Sequence, residues 1–204
     1  DVFDIICGTS TGGIIASLLG AQCASVAETE ILYDVFIEKI FAQRSNLRLV
    51  TEQAAYDGRD WDKILYDMCG DQLLIDTNQN NCCRVFCVSS QMNVHPPQPF
   101  LWRNYNHNTN YGSGGQRQGY AGASRVNTFT AIRATTAAPT FFTPVRWGNG
   151  LYCDGALVAN NPTAIALQEA KVLNKLIFLH VNLFFSYLYH YLFIYLFICN
   201  LILK

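Results

Sequence analysis

Val2-Phe3-Asp4-Ile5-Ile6-Cys7-Gly8-Thr9-Ser10-Thr11-Gly12-Gly13-Ile14-Ile15-Ala16 decides how the rest of the chain is read. The apolar run from Val2 to Cys7 ends at a glycine, as in a central strand of a parallel sheet covered on both faces. Gly13 to Leu19 then supplies small and apolar residues up to Gly20, which predicts a helix stopped by that glycine. Between strand and helix stands Gly8-Thr9-Ser10-Thr11-Gly12, a G-x-S-x-G sequence in the setting that lifts a serine oxygen onto a sharp turn. Glycine is needed on both sides because backbone passes close to backbone there, and the helix N-terminus favours negative charge near the Ser10 oxygen. The bland alternative is an ordinary strand-to-helix turn.

Outward from this stretch, Ser25-Val26-Ala27-Glu28 is a capping box. Ile31, Leu32, Val35, Phe36, Ile40 and Phe41 follow at helical spacing and predict an amphipathic core helix. Asp60 is placed to cap a helix from Trp61 to Cys69 closed by Gly70, and Asp76 to Asn81 reads as polar loop. Arg84 to Ser90 and Phe100 to Tyr105 read as strands separated by Pro96, Pro97 and Pro99. Asn106 to Gly122 is a Gly/Asn/Ser/Gln loop, without the flanking strand and helix that a phosphate-binding loop requires. A helix is predicted over Thr128 to Ala137, before Pro139, and another after Asn160-Asn161-Pro162, with Asn161 as cap and Pro162 in the first turn. Strands alternating with helices imply an α/β fold: a mostly parallel central sheet flanked by helices, in three layers.

The chain has 204 residues, enough for one domain with a sizeable core, and a formal net charge of -1 with no Lys/Arg run. Phosphate backbones call for clustered cations, so nucleic acid is not an expected partner. The eight cysteines show neither a disulfide framework nor paired zinc ligands. They are read as reduced thiols of an intracellular protein, the Cys82, Cys83 and Cys87 group included, and no metal is invoked. Trp61, Trp102 and Trp147 are expected in core or rim packing, and Arg133 in an ion pair, with contact to a lipid phosphate as the sharper alternative. Asp1 to Cys7 lacks the features of a signal peptide and reads as the middle of a buried strand, which predicts further sequence upstream.

Leu176 to Leu203 contains no charged residue and is dominated by Leu, Ile, Phe and Tyr. It is long enough to span a bilayer, but it holds His180, Asn182, Ser186, His190 and Asn200 with little periodicity. Three readings stay open: a translated non-coding tail, a membrane segment, or core. The expected division is a catalytic domain over residues 1–175 and a hydrophobic tail over 176–204.

An activated serine needs a base. His95 and His107 fall in loops. His180 would complete a Ser, Asp, His order of the α/β-hydrolase kind, but it lies in the hydrophobic tail. Asp154, in Leu151-Tyr152-Cys153-Asp154-Gly155-Ala156, ends a short apolar run where glycine lets the chain turn, so its carboxylate is presented. An Asp-Gly pair is by itself most often only a turn.

Gly8-Thr9-Ser10-Thr11-Gly12-Gly13 together with Asp154-Gly155-Ala156 resembles the paired signature of the patatin-like phospholipase family. Ala131 to Pro139 is similar to that family's helix before the acid, and Asn160-Asn161-Pro162 to the segment after it. With Arg103-Asn104-Tyr105, these stretches look closest to the gamma-type, membrane-associated calcium-independent phospholipases A2, from about Val2 to about Leu173. The resemblance implies a serine lipid acyl hydrolase with a Ser10–Asp154 dyad, acting on phospholipid at an intracellular membrane surface and requiring neither cofactor nor calcium. It also implies a glycine-rich oxyanion loop upstream of the serine strand, which would precede Asp1. Each lost oxyanion donor costs on the order of 100- to 1000-fold in rate, so a catalytically inactive binding module is a rival reading. A neutral-lipid or lysophospholipid hydrolase of the same family is another. A further departure from the family pattern is the absence of a Ser-Leu-Gly-Thr-Gly-like turn after the strand at Leu176 to Val181; Ala156 stands where a third glycine is frequent, but alanine is common there too.

Overall fold

The computed structural model describes residues 3–41, 58–80, 83–106, 119–173, 181–185 and 199–203. Its centre is the buried strand predicted by the opening stretch. Strand β1 (Ile5–Thr9) is buried throughout and runs parallel to β2 (Arg84–Gln91), with Ile5 opposite Arg84 and Thr9 opposite Val88. On the far side of β2, strand β3 (Gln98–Arg103) is antiparallel, and β4 (Ala121–Ala123) lies parallel to β3. Strands β5 (Val145–Trp147) and β6 (Gly150–Asp154) form a tight hairpin, and β6 pairs antiparallel with β2. Strands β7 (Val181–Phe185) and β8 (Cys199–Leu203) are antiparallel to each other, and β8 is antiparallel to β1.

The sheet is therefore mixed where a mostly parallel one was expected. The reason lies in the connections. Parallel neighbours need a long crossover, whereas β2 to β3 is joined by six residues and β5 to β6 by two, which permits only antiparallel pairing. The α/β character stands. Helix α1 (Thr11–Ala16), continued by a π-helical turn (Ser17–Ala21), and helix α4 (Thr128–Thr135) cover one face. There Ala16, Ala21, Ala131 and Ala134 meet Ile6, Val85, Cys87 and Trp102. After the short helix α5 (Ala156–Ala159), helix α6 (Thr163–Val172) covers the other face, where Ile165, Ala166 and Ala170 meet Ile5, Cys7, Phe86, Val88 and Leu101. The small alanines bring helix and sheet backbones close, and together these faces make the three layers.

Helices α2 (Val26–Phe41) and α3 (Gly58–Cys69) form a further cluster on α1 and α4, in which Phe36, Trp61, Leu65 and Cys69 surround Ile14, Leu18 and Ile132. Trp61 stacks on Phe142 and meets Phe36 edge-on, at centroid distances of 6.2 and 5.9 Å. The capping box at Ser25 forms in full: Ser25 N–H donates to Glu28 Oε2 at 2.8 Å and Glu28 N–H to Ser25 Oγ at 3.2 Å. The face expected to be core is only partly so. Phe36 and Tyr33 are buried, whereas Ile31, Leu32 and Val35 are exposed, because α2 touches the domain along one edge of its apolar arc.

Other expectations shift similarly. The polar stretch from Asp76 lies in a 3₁₀ helix (Leu74–Asn80), anchored by fully buried Leu74 and closed by Thr77 Oγ1 donating to the Leu74 carbonyl at 2.8 Å. Residues 121 and 122, expected in loop, belong to β4: glycine at 122 lets the strand pass over the Arg103 guanidinium, where a Cβ would lie 2.0 Å from Nη1. Arg103 is held by Glu169 in a buried two-point pair (2.7 and 2.8 Å) that ties β3 to α6, with Tyr105 donating to the same carboxylate at 2.9 Å. Asn161, expected as the cap of α6 with Pro162 in the first turn, stands one residue earlier: Pro162 holds the cap position, its carbonyl accepting from Ala166 N–H at 2.9 Å, and Asn161 Oδ1 accepts from Thr163 N–H at 3.0 Å just before the helix. Trp61 and Trp102 are core, and Trp102 donates to Ser89 Oγ at 2.8 Å within an aromatic group with Phe100, Tyr152 and Trp147.

Cys7, Cys69, Cys83, Cys87 and Cys153 are reduced thiols; burial pushes Cys69 up to about 12 and Cys87 up to about 11, which makes these two inert at neutral pH. Cys23 corrects the expectation of reduced thiols throughout: it stands exposed between the π-helical turn and α2 and is disulfide-bonded, a pairing its spacing did not announce. Cys82, His107, His180, residues 107–118 and most of the hydrophobic tail lie outside the described residues. Among those described, no helix is long and apolar enough to cross a membrane, and the two described parts of the tail are strands.

Candidate active site

Strand β2 serves as the ruler of the site. Thr9, the last residue of β1, sits opposite Val88, and Asp154, the last residue of β6, sits opposite Ser89. Because β3 occupies the other edge of β2 along Phe86 to Gln91, β6 takes up the edge that β1 leaves. The end of one strand thus abuts the end of another, and the first residue after β1, Ser10, turns directly toward Asp154. Ser10 Oγ donates to Asp154 Oδ2 at 2.6 Å, with Ser10 5% and Asp154 3% exposed.

The turn that carries Ser10 is strained. Ser10 has φ 57° and ψ −128°, the conformation glycine favours at the first central position of a type II′ turn, and its carbonyl accepts from Gly13 N–H at 2.8 Å. Gly8 makes the turn possible, since a Cβ there would lie 2.0 Å from the Gly12 carbonyl oxygen. Gly155 does the same for the acid: its Cβ would lie 2.2 Å from the Val88 carbonyl oxygen. Gly8 and Gly155, one glycine from each sequence motif, are thus required by close backbone approach.

Asp154 is fixed on every side. Its N–H donates to the Ala137 carbonyl at 2.9 Å, its carbonyl accepts from Ser90 Oγ at 2.7 Å, and its Oδ1 accepts from Ala156 N–H at 2.8 Å. Burial pushes the carboxyl up from 3.8 to about 6, with the hydrogen bonds from Ser10 and Ala156 pulling it part of the way back. A carboxylate so raised is a stronger base than one in water and is still ionised at neutral pH.

Of the residues singled out from the sequence, Gly8, Thr9, Ser10, Thr11 and Gly12 are brought together with Asp154, Gly155 and Ala156. Thr9 also braces the segment after the acid, donating from Oγ1 to the Ala159 carbonyl at 2.8 Å. His95 is exposed in the bend between β2 and β3, and a carboxylate holds the Ser10 hydroxyl. Arg133 forms its ion pair across to α3, with Nε 2.9 Å from Asp62 Oδ1, and its guanidinium packs over Phe142. Sequence reasoning missed Ser90 and Thr135. The latter accepts from Ser10 N–H at 3.0 Å and donates to the Val88 carbonyl. Among the described residues no group of three or more His, Cys, Asp or Glu is placed to hold a metal ion.

The sequence model of the family described as "Patatin-like phospholipase" matches residues 1–167. This chain belongs to the patatin-like phospholipase family. Its relatives there include the calcium-independent phospholipase A2-gamma of Oryctolagus cuniculus, 38% identical over 84% of this chain and 22% of that protein. The phospholipase A I of Arabidopsis thaliana is 29% identical over 85% of this chain and 17% of that protein. The cGAMP-activated phospholipase of Vibrio cholerae is 31% identical over 83% of this chain and 46% of that protein. The chain thus spans about a fifth of the length of the calcium-independent phospholipases A2-gamma that it matches. The patatin-like assignment accords with the mixed α/β sheet and with phospholipases as relatives.

Proposed function

We propose that this chain is a serine lipid acyl hydrolase of the calcium-independent phospholipase A type, in which Ser10 is the nucleophile and Asp154 its base. The observation that carries the reading is the buried 2.6 Å hydrogen bond from Ser10 Oγ to Asp154 Oδ2 on a strained strand-to-helix turn. Asp154 Oδ2 takes the Ser10 proton as Oγ attacks the ester carbonyl of a fatty-acyl chain. Collapse of the tetrahedral intermediate breaks the bond to the glycerol oxygen, which leaves with the proton from Asp154 as lysophospholipid. Asp154 then takes a proton from water as the water oxygen attacks the acyl-enzyme. Fatty acid departs and the proton returns to Ser10. Phospholipid resides in bilayers, so the substrate is met at an intracellular membrane surface, and residues 1–175 are the catalytic domain.

Labelling of the purified chain with a fluorophosphonate probe, in detergent with EDTA, tests this reading. Wild type is expected to label, and Ser10→Ala and Asp154→Asn to remain unlabelled. Folded wild-type chain that stays unlabelled, or Asp154→Asn that labels as fast as wild type, contradicts the reading.

A further inference from the structure

We infer that Thr135 is a positioning residue for the acyl transfer, its hydroxyl clamping the Ser10 backbone to strand β2 so that the strained turn is held where Ser10 meets Asp154. This rests on the reading of Ser10 and Asp154 as the catalytic pair.

Thr135 is the last residue of α4 and is completely buried. Its Oγ1 accepts from Ser10 N–H at 3.0 Å, and its own proton goes to the Val88 carbonyl. The direction of both bonds is fixed, because an amide can only donate and a carbonyl can only accept. Val88 is the residue of β2 opposite Thr9, so the hydroxyl fastens the first residue after β1 to the strand that β1 pairs with. The Thr135 carbonyl also accepts from Gly155 N–H, at 3.4 Å. One residue of α4 therefore touches the serine turn through its side chain and the residue after the acid through its backbone.

Gly13 gives independent support. Its φ is not in the left-handed region that calls for glycine, yet a Cβ there would lie 2.6 Å from Thr135 Cγ2. The helix after Ser10 is kept free of a side chain at the place where Thr135 enters. Exposed threonines at helix ends cap or turn; this one is driven in against the sheet.

Ser10 holds a conformation that a non-glycine residue occupies only when its surroundings over-determine it. Removal of the hydroxyl leaves the Ser10 N–H without its acceptor and lets the turn relax, and small displacements of a nucleophile cost up to ~100-fold in rate. Thr135→Val, close to isosteric, is expected to lower kcat for a p-nitrophenyl acyl ester about 10- to 100-fold with KM within about threefold. Thr135→Ser, which restores the hydroxyl, is expected to recover most of that loss. A merely structural threonine would not show this kcat-against-KM split or rescue by a hydroxyl alone. The fluorophosphonate labelling rate is expected to follow kcat, with the midpoint of its pH profile unmoved because Asp154 is intact.

Folding is checked by circular dichroism, and if Thr135→Val does not fold, Thr135→Ala is judged by the same thresholds. A folded hydroxyl-free variant with kcat within threefold of wild type, or Thr135→Ser as slow as that variant, overturns the inference while leaving the Ser10–Asp154 reading intact. Wild type that neither labels nor turns over overturns both.

Discussion

Replacement of Asp154 by asparagine should make the protein more stable as it abolishes activity, and by an amount that depends on pH. Burial raises the Asp154 carboxyl from 3.8 to about 6, so the folded state prefers the protonated form. Between these values the native chain binds more protons than the unfolded chain, and stability falls as pH rises through the window. At about 1.36 kcal/mol per pH unit, ionised Asp154 costs the fold about 1 kcal/mol at pH 4.5 and about 3 kcal/mol at pH 8. Asparagine is isosteric and cannot ionise. Its Oδ1 still accepts from Ala156 N–H, and its amide donates to Ser10 Oγ, whose proton rotates away. Urea unfolding of both proteins at the two pH values should therefore show Asp154→Asn gaining on wild type by about 2 kcal/mol from pH 4.5 to pH 8. A difference that is constant across that range, or that moves in favour of wild type, would refute the claim that Asp154 is buried at an energetic cost.

The same carboxyl sets the pH profile of activity. The rate of fluorophosphonate labelling should be level above about pH 7 and fall about tenfold per unit below about pH 6, as measured in gel fluorescence time courses. Glu169→Ala removes the partner of a guanidinium that is 3% exposed and should destabilise by about 3–5 kcal/mol in urea unfolding, with Glu169→Gln losing less because it keeps an acceptor for Arg103. Gly8→Ala places a Cβ against the Gly12 carbonyl and should lower the thermal midpoint and eliminate labelling together, whereas Gly148→Ala, where nothing lies within 4 Å, should cost only the strain of its positive φ.

Several elements announce themselves locally. The apolar run into Gly8 and the small residues after Gly12 announce a strand and a helix on either side of Ser10, although β1 runs past Cys7 to Thr9 and α1 starts at Thr11 rather than Gly13. The capping box at Ser25 is set by residues within one helical turn, and it forms. Legibility fails where a contact decides the outcome. Nothing at Ile31, Leu32 and Val35 says that α2 touches its neighbours along only part of its apolar arc. The β5–β6 hairpin did carry a signal, Gly148-Asn149 between two short runs, which is the composition of a two-residue turn, but three residues are too few for periodicity to speak. At the site, Ser10 and Asp154 lie in motifs that carry Gly8 and Gly155, where close backbone approach demands glycine. Thr135 and Ser90 carry no such mark: the bond from Ser10 to Thr135 spans 125 positions, and a threonine at a helix end looks the same whether it faces water or the sheet. The mixed sheet follows from connection lengths, which become readable only once strands are known.

Trapping of the acyl-enzyme is the most direct test of the Ser10–Asp154 pair. Wild-type chain is mixed with a phosphatidylcholine in detergent micelles containing EDTA, quenched in acid within one turnover, and its peptides are sequenced by mass spectrometry. The fatty-acyl mass is expected on Ser10 of wild type and absent from Asp154→Asn. An acyl group on any other residue, or an equal yield on Ser10 when Asp154 is asparagine, would contradict the account.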